Sequence, residues 1–143
     1  MKKTLTVALI TLLASPALLA ADYGAYKGSG GMSAHKIEAN VYEYHYDNGF
    51  TGADAMGWDP NLQFAWSRIA AASACGVTVD KAKAMDALQA QYQQDPMIQE
   101  IVGIGFHEAQ IKANRAFCSD VRVAALRQLV PGLEDGSFEK PFN

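Results

Sequence analysis

The chain has 143 residues, of which 50% are hydrophobic and 19% charged, with two cysteines and a formal net charge of −3. One ordinary domain fits that length, and the hydrophobic share excludes a disordered chain. A sequence pI near 5.5 argues against nucleic acid as a partner, because phosphate binding needs clustered Lys and Arg, and two cysteines are too few for a disulfide-rich mini-scaffold.

Residues 1–20 read as a secretory signal peptide. Lys2 and Lys3 form a positive start, an apolar run extends from Leu5 to Leu13, and Ser15-Pro16 breaks it before small residues. Cleavage after Ala20 is preferred and cleavage after Ala21 is the alternative, with Leu18 or Leu19 standing where a small residue is usual. The run is shorter than the roughly 20 residues of a bilayer span, so no transmembrane segment is expected once the signal is removed. Loss of its two lysines leaves 10 basic and 15 acidic residues, a net charge of −5. The two-lysine start suits bacterial export, which makes the periplasm the expected destination and a wholly secreted protein the alternative.

Composition then divides the chain at residue 58. Residues 21–58 are rich in Gly and Tyr and read as a flexible or extended N-terminal segment; 59–143 read as a helical domain. Gly24–Gly31 has too much backbone freedom for regular structure. From Glu38 to Asp47 the pattern has period two, with Tyr42, Tyr44 and Tyr46 on one face and Val41, Glu43 and His45 on the other. That alternation predicts an isolated strand or hairpin arm ending at the turn signal Asn48-Gly49.

Helix signals follow. Asp59-Pro60 pairs an N-cap acceptor with a proline at the first helical position, and Leu62, Trp66 and Ile69 recur at helical spacing up to the stop at Gly76. Thr78 is read as the cap of a second helix to about Gln94, with Ala82, Met85, Leu88 and Tyr92 on one stripe. Asp95-Pro96 repeats the start signal and opens a third, longest helix to about Cys118. Gly103 and Gly105 inside it each cost about 1 kcal/mol relative to alanine. The preferred explanation is close approach of a neighbouring backbone along Gly105, Ala109 and Ala113; the alternative is a break at 103–105. Ser119 caps a last short helix bearing Val121, Ala125 and Leu129 and ending at Pro131-Gly132. Two phenylalanines in the tail are candidates to pin it to the body. The fold class is therefore mainly α, a bundle of about four helices preceded by an extended Tyr/Gly-rich segment.

An even cysteine count in an exported chain forces the pairing Cys75–Cys118. Antiparallel first and second helices, then second and third, bring the ends of the first and third together. The spacing does not suit a catalytic dithiol, which is usually Cys-x-x-Cys.

Familiar catalytic signatures are absent from the sequence, and no cofactor is expected. Three candidate sites remain. Glu43, His45 and Asp47 on one strand face form a carboxylate–imidazole–carboxylate row able to take a divalent metal, although a solvated polar face opposite the tyrosines is the preferred explanation. His107-Glu108 place an imidazole beside a carboxylate, an acid/base candidate, but neighbouring helical residues diverge by about 100°. Tyr42, Tyr44, Tyr46 and Trp58 are either a binding surface for an unknown protein or small ligand, or a cover for the helical core. The leading expectation is a non-enzymatic periplasmic binding or interaction protein. The alternatives are an acid-responsive chaperone-like protein and a metal- or His-dependent enzyme.

Overall fold

The computed structural model describes residues 22–143; the expected signal peptide and its cleavage point lie outside the described residues. Five α-helices and one π-helix make up the regular structure, and no strand occurs among the described residues. They are α1 (Ala39–Asn48), α2 (Pro60–Ala74), α3 (Lys81–Tyr92), the π-helix Ile98–Gly105, α4 (Phe106–Lys112) and α5 (Asp120–Asp135), with a 3₁₀ turn at Gly52–Ala55. No described helix is long and apolar enough to cross a membrane.

Helix α2 begins where the sequence signals it. The Asp59 side chain accepts from the backbone N–H groups of Asn61 and Leu62, and Pro60 occupies the first turn, where its missing N–H costs nothing. Leu62, Ala65, Trp66, Ile69 and the run Ala70–Ala72 are all buried. A helix buried on most of its circumference is central, and α2 packs against α3, the π-helix, α4 and α5. Helix α3 starts two residues later than expected: Asp80, not Thr78, is its cap and accepts from the Lys83 N–H.

The expected strand at 38–47 is instead helix α1. In a helix, residues 42, 45 and 46 share a face, and Tyr42, His45 and Tyr46 are its buried side chains. Tyr42 and Tyr46 meet Phe117, the latter edge-on with ring centroids 4.8 Å apart. An alternation of tyrosines spaced two apart satisfies both periods, and packing against the α4–α5 connection selects the helical one. The Asn48-Gly49 signal marks the helix stop, where Gly49 adopts φ 112° with the Phe142 ring packed against it. Residues 22–38 form turns without regular structure, yet Met32 is buried and belongs to the same apolar cluster as Leu62, Phe117 and Leu133. The core thus runs across residue 58.

The third predicted helix, continuous from residue 96 to about 118, is not observed. The chain winds with i→i+5 pitch from Ile98 to Gly105 and as an α-helix only to Lys112, and Phe117 and Cys118 lie in the following loop. The last helix is longer than predicted, running through Pro131 to Asp135 and stopping at Gly136 with φ 80°. An interior proline costs about 3 kcal/mol. Beyond it, however, Leu133 is buried in the core and Glu134 accepts from the Asp80 N–H, contacts that offset the lost hydrogen bond. The buried face of α5 is Leu126, Val130 and Leu133; of the expected stripe, Val121 and Ala125 are exposed and Leu129 is half-buried against the core.

Cys75 and Cys118 meet at disulfide distance, with Cα atoms 5.3 Å apart. The bond ties the end of α2 to the loop before α5. The tail phenylalanines do pin the terminus: Phe138 stacks on Phe64, and the Phe142 backbone exchanges two hydrogen bonds with the Asn61 amide.

Candidate functional site

The wide turn of the π-helix follows from its glycines. A Cβ at Gly103 would stand 2.4 Å from the Trp66 indole, so the ring lies directly on the backbone. A Cβ at Gly105 would meet the Glu100 carbonyl, five residues back, at 2.8 Å. The preferred explanation of these glycines thus needs correction. The close neighbour at Gly103 is a side chain, and Gly105 accommodates the backbone of its own turn. Inward, the same winding buries Gln99, which accepts from Trp66 Nε1 at 3.3 Å and donates to the Met85 carbonyl and to Gln89 Oε1. Outward, it leaves Met97, Ile101 and Val102 67%, 62% and 47% exposed. With i→i+5 pitch, residue 97 stacks on 101 and 102, so the three form one ridge.

Beside this ridge a groove of about 590 Å³ separates α3 from the π-helix. Met85, Pro96 and Ile104 supply its apolar part, and Lys81, Asp86, Gln89, Glu100 and Glu108 its polar wall. Glu108 sits between Lys81, to which it is hydrogen-bonded, and Lys112 at 3.5 Å. Burial alone would raise its pKa, but hydrogen bonds from Lys81 and Ser73 and the charge of Lys112 together hold it below the usual carboxylate value. It remains an anion fixed at the groove wall.

His107 is separate from that carboxylate. It is fully buried, with Nδ1 2.9 Å from the Tyr42 hydroxyl and Nε2 2.7 Å from Gln63 Oε1. Gln63 donates through Nε2 to the Ala55 carbonyl, which fixes its amide orientation. His107 Nε2–H therefore donates to Gln63 Oε1, and Nδ1 accepts from Tyr42: a neutral imidazole with both nitrogens committed. Burial, and secondarily the charge of Arg68, lower its pKa to about 3. The acid/base pairing of His107 with Glu108 is thereby corrected. One side chain is sealed among α1, α2 and the 3₁₀ turn, while the other faces α3, because successive helical residues point apart.

The Glu43, His45 and Asp47 row is undone by the helical winding of α1, which turns His45 away from the two carboxylates. Glu43 accepts from Asn114 Nδ2, and Asp47 accepts two hydrogen bonds from Arg122 Nη2, at 2.9 and 3.1 Å, and one from the Tyr23 hydroxyl. His45 is buried, donating through Nδ1 to the Gly49 carbonyl, with the Tyr26 hydroxyl 2.6 Å from Nε2 and Asp54 3.6 Å away. Asp54 in turn accepts from the Gly30 N–H, which fastens the N-terminal segment. No group of three or more His, Cys, Asp or Glu side chains arranged to hold a metal occurs among the described residues.

Of the candidate aromatic surface, Tyr42 and Tyr46 are buried and Tyr44 and Trp58 partly so, with Trp58 edge-on to Trp66 at 5.3 Å. Tyr44 carries Tyr23 and Tyr26 edge-on at 5.1 and 5.3 Å. The tyrosines are a cover for the core and not an open face. Sequence reasoning missed the buried polar residues Asp54, Gln63, Ser67 and Gln99 and the half-buried Arg68. The signal for Gln63 and Ser67 was present, since both stand on the apolar-rich helix α2. The exposed ridge also carried a signal, namely more apolar residues around 97–106 than one buried stripe requires. Comparison with protein-family models, with curated proteins and with solved structures finds no match to this chain.

Proposed function

We propose that the protein is a non-enzymatic binding protein of the periplasm that engages a protein partner through the π-helix ridge and the groove beside it. The observation that carries this reading is the set of three large apolar side chains, Met97, Ile101 and Val102, exposed on one ridge. Exposed apolar patches bordered by polar residues mark contact surfaces, and Lys81, Asp86, Glu100 and Glu108 supply polar groups along the groove of the same π-helix. π-turns are enriched at functional sites, and two glycines are spent in keeping this one. Export rests on the N-terminal segment and agrees with the disulfide.

The test is site-specific photo-cross-linking in the periplasm from residue 97 or 101, with Glu139 in the exposed tail as the control position. A discrete adduct from 97 and 101, lost when Ile101→Lys is combined with a probe at 97, is expected. Equal adducts from 139, or none from the ridge, overturn the reading. A second reading, acid-triggered holding of unfolded clients, is favoured by the buried neutral His107. It predicts suppression of client aggregation at about pH 4, and fails if suppression is absent there.

A further inference from the structure

Residues of α1, α2 and α5 line a second, smaller pocket of about 220 Å³. It shares no lining residue with the π-helix groove. Arg68 of α2 forms its inner end. The guanidinium carbon lies 3.7 Å from the centroid of the Tyr46 ring and 4.3 Å from that of Phe64. Its single hydrogen bond among the described residues runs from Nη1 to Ser67 Oγ at 3.0 Å. A guanidinium has five N–H donors, so the Nε and Nη2 edge is left without an acceptor, and no carboxylate of the described residues lies within ion-pair distance.

The carboxylate nearest to hand does not fill that need. Asp47 lines the same pocket, but both of its oxygens are engaged by Arg122, and one also by Tyr23. Aromatic faces attract the cation but do not replace the paired oxygens that a guanidinium fork matches. Burial holds the Arg68 pKa below its ordinary value, and the charge of Arg122 acts in the same direction. The Asp47 carboxylate opposes both effects, but from beyond ion-pair distance.

Apart from Asp47, Arg68 and Arg122, which are charged, the pocket is lined by aromatic and aliphatic side chains. Val121, Ala125 and Leu129 fall at four-residue steps along α5; Val121 and Ala125 are exposed, and Leu129 is half-buried against the edge of the core. Val121, at its mouth, is 75% exposed. A cationic fork at one end and an aliphatic seat at the other match a carboxylate bearing one apolar group. At about 220 Å³ the pocket is smaller than the roughly 300–1,000 Å³ of drug-sized ligand sites, which restricts it to a small acid or a single terminal residue.

We propose that this pocket binds a carboxylate carrying a short apolar side chain, with Arg68 as the bidentate anchor and Val121, Ala125 and Leu129 as the seat. Two sources share that chemistry, a free branched short-chain acid and the C-terminal residue of a peptide. Titration of the purified, isotope-labelled protein with 4-methylpentanoate and with N-acetyl-alanyl-leucine, each beside its amide, tests the proposal by NMR. Saturable shifts of the Arg68 Nε–H and of the Val121 and Leu129 methyl groups are expected with the acids, with the amides at least tenfold weaker. Binding by the peptide acid alone assigns the site to chain termini; binding by both acids assigns it to small carboxylates, and either supports the proposal. Absence of saturable shifts with both acids, or equal binding of acid and amide, overturns it.

Two variants complete the test. Arg68→Met, which keeps the stem, should weaken binding at least tenfold. Val121→Glu alters an exposed position, should leave the far-UV circular dichroism unchanged and should weaken the acids severalfold through repulsion. A folded Val121→Glu protein that binds the acids as tightly as wild type overturns the proposal even where Arg68→Met fails to fold.

Discussion

Acidification should unload stability through a single residue, His107. In the unfolded chain its imidazole titrates near 6.5, whereas burial and Arg68 lower the folded value to about 3. The folded form thus binds a proton less readily than the unfolded form. The stability tied to the neutral ring is fully present above pH 6.5 and is lost as pH falls toward 3. Each unit of pH in that window corresponds to about 1.4 kcal/mol, so about 2 kcal/mol is lost at pH 5 and about 5 kcal/mol at the lower limit. Against a typical domain stability of about 5–15 kcal/mol, that is a large share. The perturbation to make is His107→Gln, which keeps an acceptor and a donor but does not titrate. Urea denaturation at pH 7, 6, 5 and 4 gives the assay. The variant starts lower at pH 7, because Tyr42 and Gln63 lose a well-placed partner. Its decline toward acid should then be shallower than that of wild type by about 1.4 kcal/mol per pH unit. Carboxylates that titrate in the same range are common to both proteins and drop out of the difference. Parallel declines would refute the assignment of a buried, neutral His107.

Three further outcomes test the packing. Gly103→Ala places a Cβ 2.4 Å from Trp66 and should destabilise by about 1–3 kcal/mol, with altered indole fluorescence; an unchanged melting temperature would mean the indole does not lie on that backbone. Reduction of Cys75–Cys118 opens a loop of 43 residues, worth about 4 kcal/mol on the chain-entropy model, so the reduced protein should melt markedly lower. Met32→Ala removes a buried side chain of the N-terminal segment and should cost about 2–5 kcal/mol. Wild-type stability in that variant would show the segment to be detachable.

Some of this fold was legible before any coordinates. Asp59-Pro60 announced α2 because a cap acceptor and a proline act through local geometry alone. Ser119 opened α5 for the same reason, accepting from the Arg122 N–H. The cysteine pairing needed only the count of two. The candidate site was read less well. His107 and Glu108 are adjacent in sequence yet serve opposite surroundings, and Arg68 and Gln99 carried no local mark, because their roles depend on what packs around them.

The length, the acidic balance, the capping signals and the two cysteines thus determined a mainly helical, once cross-linked domain, since each acts over a few residues or by elimination. The tertiary structure alone decided three things. It chose the helical period for Tyr42–Tyr46 by placing both rings on Phe117. It set the π winding of Ile98–Gly105 by laying Trp66 on Gly103. And it rotated α5 so that Leu126, Val130 and Leu133 are buried while Val121 stands in solvent. In each case the sequence offers two periods or two faces of nearly equal quality, and contacts between residues far apart in the chain separate them.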